Sequence, residues 1–554
     1  MKRISIFLLL LLLIVSCKKN TISKNMELNE KAKQPFVWEG ANLYFLLTDR
    51  FHNGNPSNDI NFNRDKKTGK LRGFTGGDLK GITQKIEEGY FTDLGINVIW
   101  MTPIVEQIHG EVNEGSGVTY GFHGYWTKDW TQIDPNFGTK EELHELVKTA
   151  HKKGIKILLD AVINHTGPVT EQDPVWPSEW VRTSPQCTYD SYENTISCTL
   201  VKNLPDIKTE SDNEVALPQM LVEKWQKEGR YEQEIKELNH FFERTGYPRA
   251  PRFYIMKWLA DYIEEFGIDG YRVDTVKHVE ENVWQEFRKV CNTAFEHYKE
   301  QHPEHTLEES FYLVGEVYGY GISGGTFYNF GDKKVNYFDK AFNSLINFEY
   351  KWNAKELPDY EHLFSKYDSL LTNNLKGYGV LNYMASHDDG LPFDAKRIKP
   401  HETATKLLLT PGTSQIYYGD EIARPLEIEG AEGDANLRSS MNWETLQETN
   451  IQKVLTHWQK LGQFRAKHPA IGAGKHQLIT ISPYTFKRTF ESKDYKDEVI
   501  IGLEMPLGIK EIEVSSVFKD GTEVTDGYSG QATKVVQGTI KIDSPYKLVL
   551  IEKK

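Results

Sequence analysis

Four short segments hold the residues from which chemistry could be built. They are Asp160-Ala161-Val162-Ile163-Asn164-His165, Gly267-Ile268-Asp269-Gly270-Tyr271-Arg272-Val273-Asp274, Gly315-Glu316-Val317-Tyr318 and Ser386-His387-Asp388-Asp389. Each places carboxylates, histidine or arginine at the end of an apolar, β-prone run. A single Asp after such a run is usually a helix cap. Four polar segments in order, spaced at strand-to-strand intervals, exceed what capping requires. Arg272 and Asp274 are two residues apart on one run, so the period of two puts both side chains on the same face. A fixed guanidinium there would orient the carboxylate and keep it ionised. Carboxyls in such numbers can serve as nucleophile, acid and base.

The elements that must position these residues alternate regularly. Candidate strands cover 42–47, 97–102, 156–163, 270–273, 312–316, 344–348, 380–385 and 415–418. Amphipathic helical patterns lie between them, for example over 140–153 and 254–266. Eight βα units in a row point to an α/β fold with a closed (β/α)₈ TIM barrel, although a doubly wound open sheet would alternate in the same way. In a barrel, sites are built at the C-terminal ends of the strands, where all four segments fall. An insertion over 166–251 follows the third strand and is long enough to be a subdomain. After about residue 475 the pattern becomes short alternating runs, over 478–481, 485–490, 498–503, 511–518, 539–542 and 547–551. These read as a small antiparallel β-sandwich. The expected organisation is 1–16 signal peptide, 17–35 tether, 36–165 with 252–474 barrel, 166–251 inserted subdomain and 475–554 C-terminal β domain.

Taken in order, the four segments resemble the conserved segments of the α-amylase family of glycoside hydrolases. The resemblance extends to Phe122-His123-Gly124-Tyr125-Trp126 and to Leu204-Pro205-Asp206-Ile207-Lys208. It covers nearly the whole chain beyond the tether and looks nearest to the periplasmic α-amylases of Gram-negative bacteria. It implies Asp274 as nucleophile, Glu316 as acid/base and Asp388 as a third carboxylate gripping sugar hydroxyls. Retaining glycosidases need such a pair of carboxyls across the scissile bond. It further implies that Phe122, His123, Tyr125, His165, Arg272, Lys277, His278 and His387 contact substrate. Phe122 stands where the family usually has a Tyr expected to stack on sugar, and Ser386 where Asn is commoner. The family's structural calcium implies Ca2+ held by Asn164, Asp206 and the carbonyl of His278. A second cluster, Asn53, Asn55, Asn58 and Asp59 with Gly76 and Asp78, resembles a further calcium site of cyclodextrin-forming relatives. Oxygen-rich sets of this kind suit a hard cation.

Composition narrows the partners. The net charge of −13 argues against nucleic acid and anionic membranes, and says little about a neutral substrate. Lys2 and Arg3 precede an apolar run over 4–15 that is too short to span a bilayer. It ends in Val15-Ser16-Cys17, which resembles a bacterial lipobox and implies cleavage before Cys17 and its acylation. The expected product is an exported monomer on the bacterial outer membrane, touching membrane only through that lipid. Oxidising conditions favour a Cys187–Cys198 disulfide across a short polar spacer, leaving Cys291 buried and free. The function expected is endo-hydrolysis of α-1,4-glucosidic bonds in starch, glycogen or maltodextrins. Transglycosylation to cyclodextrins and neopullulanase-type activity share the same trio. The single β domain after the barrel weighs against the cyclodextrin reading. A silent glycan-binding lipoprotein is disfavoured because Asp274, Glu316 and Asp388 are all present.

Overall fold

The structure, a computed structural model, describes residues 34–303, 310–353 and 355–554. The signal run and Cys17 lie outside the described residues.

Eight strands build the core: β1 (Asn42–Leu46), β2 (Val98–Met101), β3 (Lys156–Ala161), β4 (Gly270–Val273), β5 (Tyr312–Gly315), β6 (Ser344–Asn347), β7 (Gly379–Tyr383) and β8 (Thr413–Tyr417). Every neighbouring pair is parallel. β1 bonds both β2 and β8, so the sheet is a closed barrel and not an open doubly wound one. The strand residues are almost all buried, as expected when side chains fill the barrel on one face and meet helices on the other. The strands stop just short of the polar residues. β4 ends at Val273 before Asp274, and β5 at Gly315 before Glu316. The chain therefore delivers each carboxyl to the same mouth of the barrel.

The C-terminal region forms two antiparallel sheets. One has the order β9 (Lys475–Ile481), β10 (Tyr484–Ser492), β11 (Tyr495–Leu503), β16 (Leu548–Lys553), β13 (Glu523–Asp526), β14 (Ala532–Lys534). The other pairs β12 (Gly508–Glu513) with β15 (Thr539–Ser544). Ile500, Val524, Val549 and Ile551 from the first meet Ile512, Ile540 and Ile542 from the second in one apolar layer. The run expected over 511–518 is strand only to Glu513. It then coils into a turn that closes through the Phe518 N–H donating to the Val514 carbonyl at 2.8 Å, burying Val514 and Phe518.

Helices cover the barrel: α1 (Lys140–Lys152), α4 (Pro251–Phe266), α5 (Glu281–Gln301), α6 (Tyr360–Ser369), α7 (Pro400–Leu408) and α8 (Thr449–Lys467), with α2 (Gln219–Lys227) and α3 (Tyr231–Thr245) inside the insertion. Thr139 and Glu142 form a capping box that starts α1. Pro251 opens α4, and Gly267 at φ 67° ends it in a conformation that disfavours other residues. α4 is buried nearly all round because the insertion packs on its outer side. Trp258 of α4 meets Trp180 and Trp225 of the insertion with centroids 6.3 and 6.2 Å away, and Trp130 at 6.1 Å. The insertion also carries the Cys187–Cys198 disulfide, with Cα atoms 4.9 Å apart. Cys291 on α5 is buried and free. Among the described residues no helix is long and apolar enough to cross a membrane.

Candidate active site

The register of the barrel sets Arg272 on β4 directly beside Asp160 on β3. The Arg272 guanidinium is fully buried and gathers three carboxyls. Nη1 donates to Asp274 Oδ1 at 2.7 Å and to both oxygens of Asp160 at 3.0 Å. Nη2 lies 3.0 Å from Glu316 Oε2. Asp160 is fixed from its other side by the Tyr125 hydroxyl at 2.8 Å and the Trp100 indole N–H at 3.1 Å. Glu316 Oε2 also accepts the N–H of Thr275 at 2.9 Å. Thr275 takes φ 50°, a costly conformation for a β-branched residue, and the cost falls where backbone must reach the acid.

One permanent cation cannot neutralise three buried carboxylates, so the cluster retains a proton. Burial drives the Glu316 carboxyl up to about 8; Arg272 opposes this, while Asp274 and Asp388 add to it. Burial also raises Asp160, against the pull of Arg272. Of the two raised carboxyls only Glu316 keeps some exposure, 8% of its side chain against none for Asp160, so it is suited to act as a general acid. Asp388 is partly exposed, and the Ser386 hydroxyl donates to its Oδ1 at 3.3 Å. The unusual serine thus supplies a short donor to the third carboxylate.

Three histidines surround this cluster. Burial lowers the pKa of His165, His387 and His123, with Arg438 helping in the last two, so all three are neutral at pH 7. Tyr125 and His387 stack in near-parallel planes with centroids 5.2 Å apart. His165 Nε2 lies 3.2 Å from the Tyr125 carbonyl. Phe122 departs from expectation. It is 1% exposed, and the Arg50 guanidinium carbon lies 3.8 Å from its ring centroid. Its face is taken, and the partly exposed ring of the motif is Tyr125. Lys277 donates to the Tyr318 carbonyl at 3.1 Å with its ammonium 5.2 Å from the Tyr318 ring, beyond Glu316. His278 turns away, its Nδ1 3.0 Å from the Thr195 carbonyl of the insertion, and burial lowers it to about 4.

The oxygen-rich residues fall in two places. At the barrel–insertion junction the Asn164 carbonyl accepts the Ile207 N–H at 2.8 Å, beside Asp206. Asp206 Oδ1 is buried without a hydrogen-bond partner, while Oδ2 pairs with Arg182 at 3.1 Å. In the second cluster Asn53 donates to Asp59 Oδ1 at 2.8 Å, and the side-chain oxygens of Asn53 and Asn58 are buried and unpartnered. A Cβ on Gly76 would come within 2.5 Å of both Asn53 and Asp59 side chains, so glycine alone fits there. Asp78 and Asn55 hold nearby backbone N–H groups, including Gly81 to Asp78 at 2.6 Å and Ser57 to Asn55 at 3.3 Å. Among the described residues no three His, Cys, Asp or Glu side chains converge as a metal site. Any ion would rest on amide and backbone oxygens with only one or two carboxylates, which suits calcium. Sequence reasoning gave Asp160 no role beyond its motif, and missed Trp100, Thr275 and Arg438, whose Nε donates to the His387 carbonyl at 2.9 Å.

A (β/α)₈ barrel with buried carboxyls gathered on one arginine at its C-terminal mouth defines a barrel hydrolase that works with paired carboxyls. The chain belongs to the alpha-amylase family of glycoside hydrolases: the family model "Alpha amylase, catalytic domain" matches residues 45–460. It is 34% identical over 514 residues to the periplasmic alpha-amylase of Escherichia coli (strain K12), covering 82% of this chain and 71% of that protein. It is 27% identical to the cyclomaltodextrin glucanotransferase of Bacillus sp. (strain 6.6.3), covering 88% of this chain and 62% of that protein. Among solved structures, an Anoxybacillus alpha-amylase superposes with TM-score 0.64 at 24% identity, covering 94% of this chain and 99% of that one. A cyclomaltodextrin glucanotransferase with a three-domain ABC distribution superposes with TM-score 0.63 at 20% identity, over 93% of this chain and 99% of that one.

Proposed function

We propose that the protein is an α-amylase that cuts α-1,4-glucosidic bonds inside starch, glycogen or maltodextrins with retention of configuration. The observation that carries this reading is the single Arg272 guanidinium holding Asp274 on one nitrogen and Glu316 on the other. Asp274 attacks the anomeric carbon while Glu316 gives its proton to the departing glycosidic oxygen. Glu316, now a carboxylate, takes a proton from water, which then attacks the glycosyl ester and releases Asp274. Asp388 and the neutral His165 and His387 bind hydroxyls of the sugar as it flattens toward the transition state. Lys277 and Tyr318 border the leaving-group side. The test is a product time course on amylose, pullulan and a cyclodextrin, with the anomer followed by NMR. α-Maltooligosaccharides of mixed length are expected first. Initial β-products would overturn retention, and accumulating cyclic products would favour the transglycosylase reading.

Calcium fits both oxygen-rich places. Asn164, Asp206 and the His278 carbonyl would hold one ion, which ties the insertion to the barrel wall. Asn53, Asn58, Asp59 and Gly76, with Asn55 and Asp78, would hold another. A bound ion would neutralise the unpartnered oxygens and stabilise the fold by mass action. Chelation is expected to lower the melting temperature and added calcium to restore it; no change in either would remove the metal from this reading. The protein works as an exported monomer, anchored to the outer membrane through acylated Cys17.

A further inference from the structure

The loop after β7 carries two carboxylates in a row, Asp388 and Asp389, and the fold treats them differently. The Asp388 side chain keeps 33% of its surface open. Its Oδ1 has the Ser386 hydroxyl at 3.3 Å and the His387 ring at 3.7 Å, both uncharged. Asp389 is taken up instead. Its Oδ2 pairs with the Lys351 ammonium and accepts the Tyr383 hydroxyl. The Lys351 side chain is 3% exposed and that of Asp389 14%. An ammonium so enclosed needs a carboxylate beside it, because its lost hydration would otherwise go unreplaced.

Each member is held by its own element. Lys351 lies in the turn Tyr350–Trp352 after β6, and the Tyr350 hydroxyl pins that turn to the Lys406 carbonyl of α7 at 2.6 Å. The Lys351 ammonium lies 4.7 Å from the Trp352 ring centroid and 5.9 Å from that of Tyr383. Tyr383 ends β7 and meets Phe348 edge-on with centroids 5.7 Å apart. Phe348 meets Tyr318, on the loop that carries Glu316, at 5.0 Å. Burial raises the Tyr383 phenol, with Asp389, Asp388 and Glu316 each adding to the rise, so it remains a donor. One hydroxyl thus stands in the field of all three carboxyls.

Two adjacent carboxylates without a cation would repel each other, so that one swings away or takes up a proton. Either event would spoil Asp388, which has to be charged and in place when it grips the sugar. We propose that Lys351 is a positioning residue for the reaction: it takes up the charge of Asp389, which fixes the loop after β7 and leaves Asp388 as the carboxylate presented to the sugar and to Glu316. The inference rests on the α-amylase reading above. Lys351 acts through Asp389 and not on the substrate.

Other groups face Glu316 as well. Arg272 and Asp274 reach it from β4, with Asp160 of β3 behind Arg272. Lys277 faces it from the turn beyond β4, Asp388 and Tyr383 from β7 and its loop, and Tyr318 from its own loop. None of these is altered in the variants below, so a change in the pH profile reads the charge of the Lys351–Asp389 pair.

The experiment uses the intact chain and four variants: Lys351→Met, Lys351→Arg, Asp389→Asn, and Lys351→Met combined with Asp389→Asn. Each is followed by kcat and KM on a maltooligosaccharide, by the pH profile of kcat/KM and by thermal melting. Lys351→Met should lose kcat roughly ten- to a hundredfold, the effect of a group displaced by about 1 Å, while KM changes little. The bare Asp389 adds negative charge beside the acid, so the alkaline limb should move to higher pH. The double variant removes both charges and should recover most of kcat and return the limb. Lys351→Arg keeps the charge and should retain most of kcat. Parental kcat and an unmoved limb in Lys351→Met, with only the melting temperature lowered, would make the pair a brace of the fold and overturn the proposal. A double variant as slow as Lys351→Met would overturn it too, because charge would not be the cause. Should Lys351→Met fail to fold, Asp389→Asn reads the same charge from the other side. It leaves the ammonium unopposed and should move the limb to lower pH; a limb that stayed in place would overturn the proposal. A parent without activity on α-glucans would overturn the α-amylase reading itself, and that is seen before any variant is made.

Discussion

Two buried charge clusters in this molecule are built alike and behave differently. At the barrel mouth Arg272 sits among Asp160, Asp274 and Glu316. Between the barrel and the C-terminal sheets His468 sits between Asp497 at Nδ1 and Glu552 at Nε2, both at 2.7 Å. Each is a cation enclosed by carboxyls out of water. In the first the cation cannot titrate and is outnumbered, so the surplus proton resides on a carboxyl, and Glu316 is raised. In the second the cation itself titrates. Its two partners outweigh the burial that opposes them and raise its pKa, while Glu552 is lowered. The number of carboxyls and the identity of the cation decide where the proton stays. A proton on an acid can be given to a substrate; a proton on the latch histidine only holds two domains together.

The sharpest break of this comparison is Glu316→Gln. It should lower turnover roughly 10²–10⁴-fold, the range for loss of a general acid. The amide keeps the shape and removes the need for a proton, so the melting temperature should hold or rise. A variant with near-parental kcat would move the acid elsewhere. The second break acts on the surplus. In Asp160→Asn, Arg272 divides its charge between two carboxylates, so Glu316 should fall from about 8. The alkaline limb of kcat/KM, which tracks the protonated acid, should move to lower pH. A limb that stayed in place would show that Asp160 only orients Arg272.

The smallest expected effect is at the latch. His468→Gln leaves Asp497 without its cation and Glu552 with Lys467 alone, and should cost about 3 kcal/mol where the histidine is charged. The folded value lies above the ordinary 6.5, so the latch contributes fully below pH 6.5 and fades as pH rises through the raised value. Denaturant melts of parent and variant should therefore differ most near pH 6 and converge toward pH 9. A difference independent of pH would mean that His468 acts by packing alone.

The barrel was legible because its strands are apolar runs that end in polar residues, and each expected strand start and end lies within two residues of the observed one. The pairing of Arg272 with Asp274 was legible because it follows from the period of two along one strand. Asp160 was visible as part of a motif, yet its place under Arg272 depends on the register of β3 against β4, which a pattern on one strand does not contain. Trp100 and Arg438 reach the site from other parts of the chain for the same reason. β13 and β14 were missed because each is short and polar on its outer face, so alternation has too few residues to register. Phe122 was misplaced because a motif fixes order, and the side on which each ring falls is decided by a neighbour, Arg50, more than 70 positions earlier.

The closure of the barrel has a consequence for how the chain is made. Asn42 to Phe45 pair with Ser414 to Tyr417. The first strand can find its second neighbour only after about 370 further residues have been synthesised, since Asn42 pairs with Ser414. Contacts of such sequence separation form slowly, because a long loop must close before they repay its entropy. The barrel thus stays open until β8, which ends at Tyr417, has been made. Until then β1 keeps one edge unpaired, an open template for other chains.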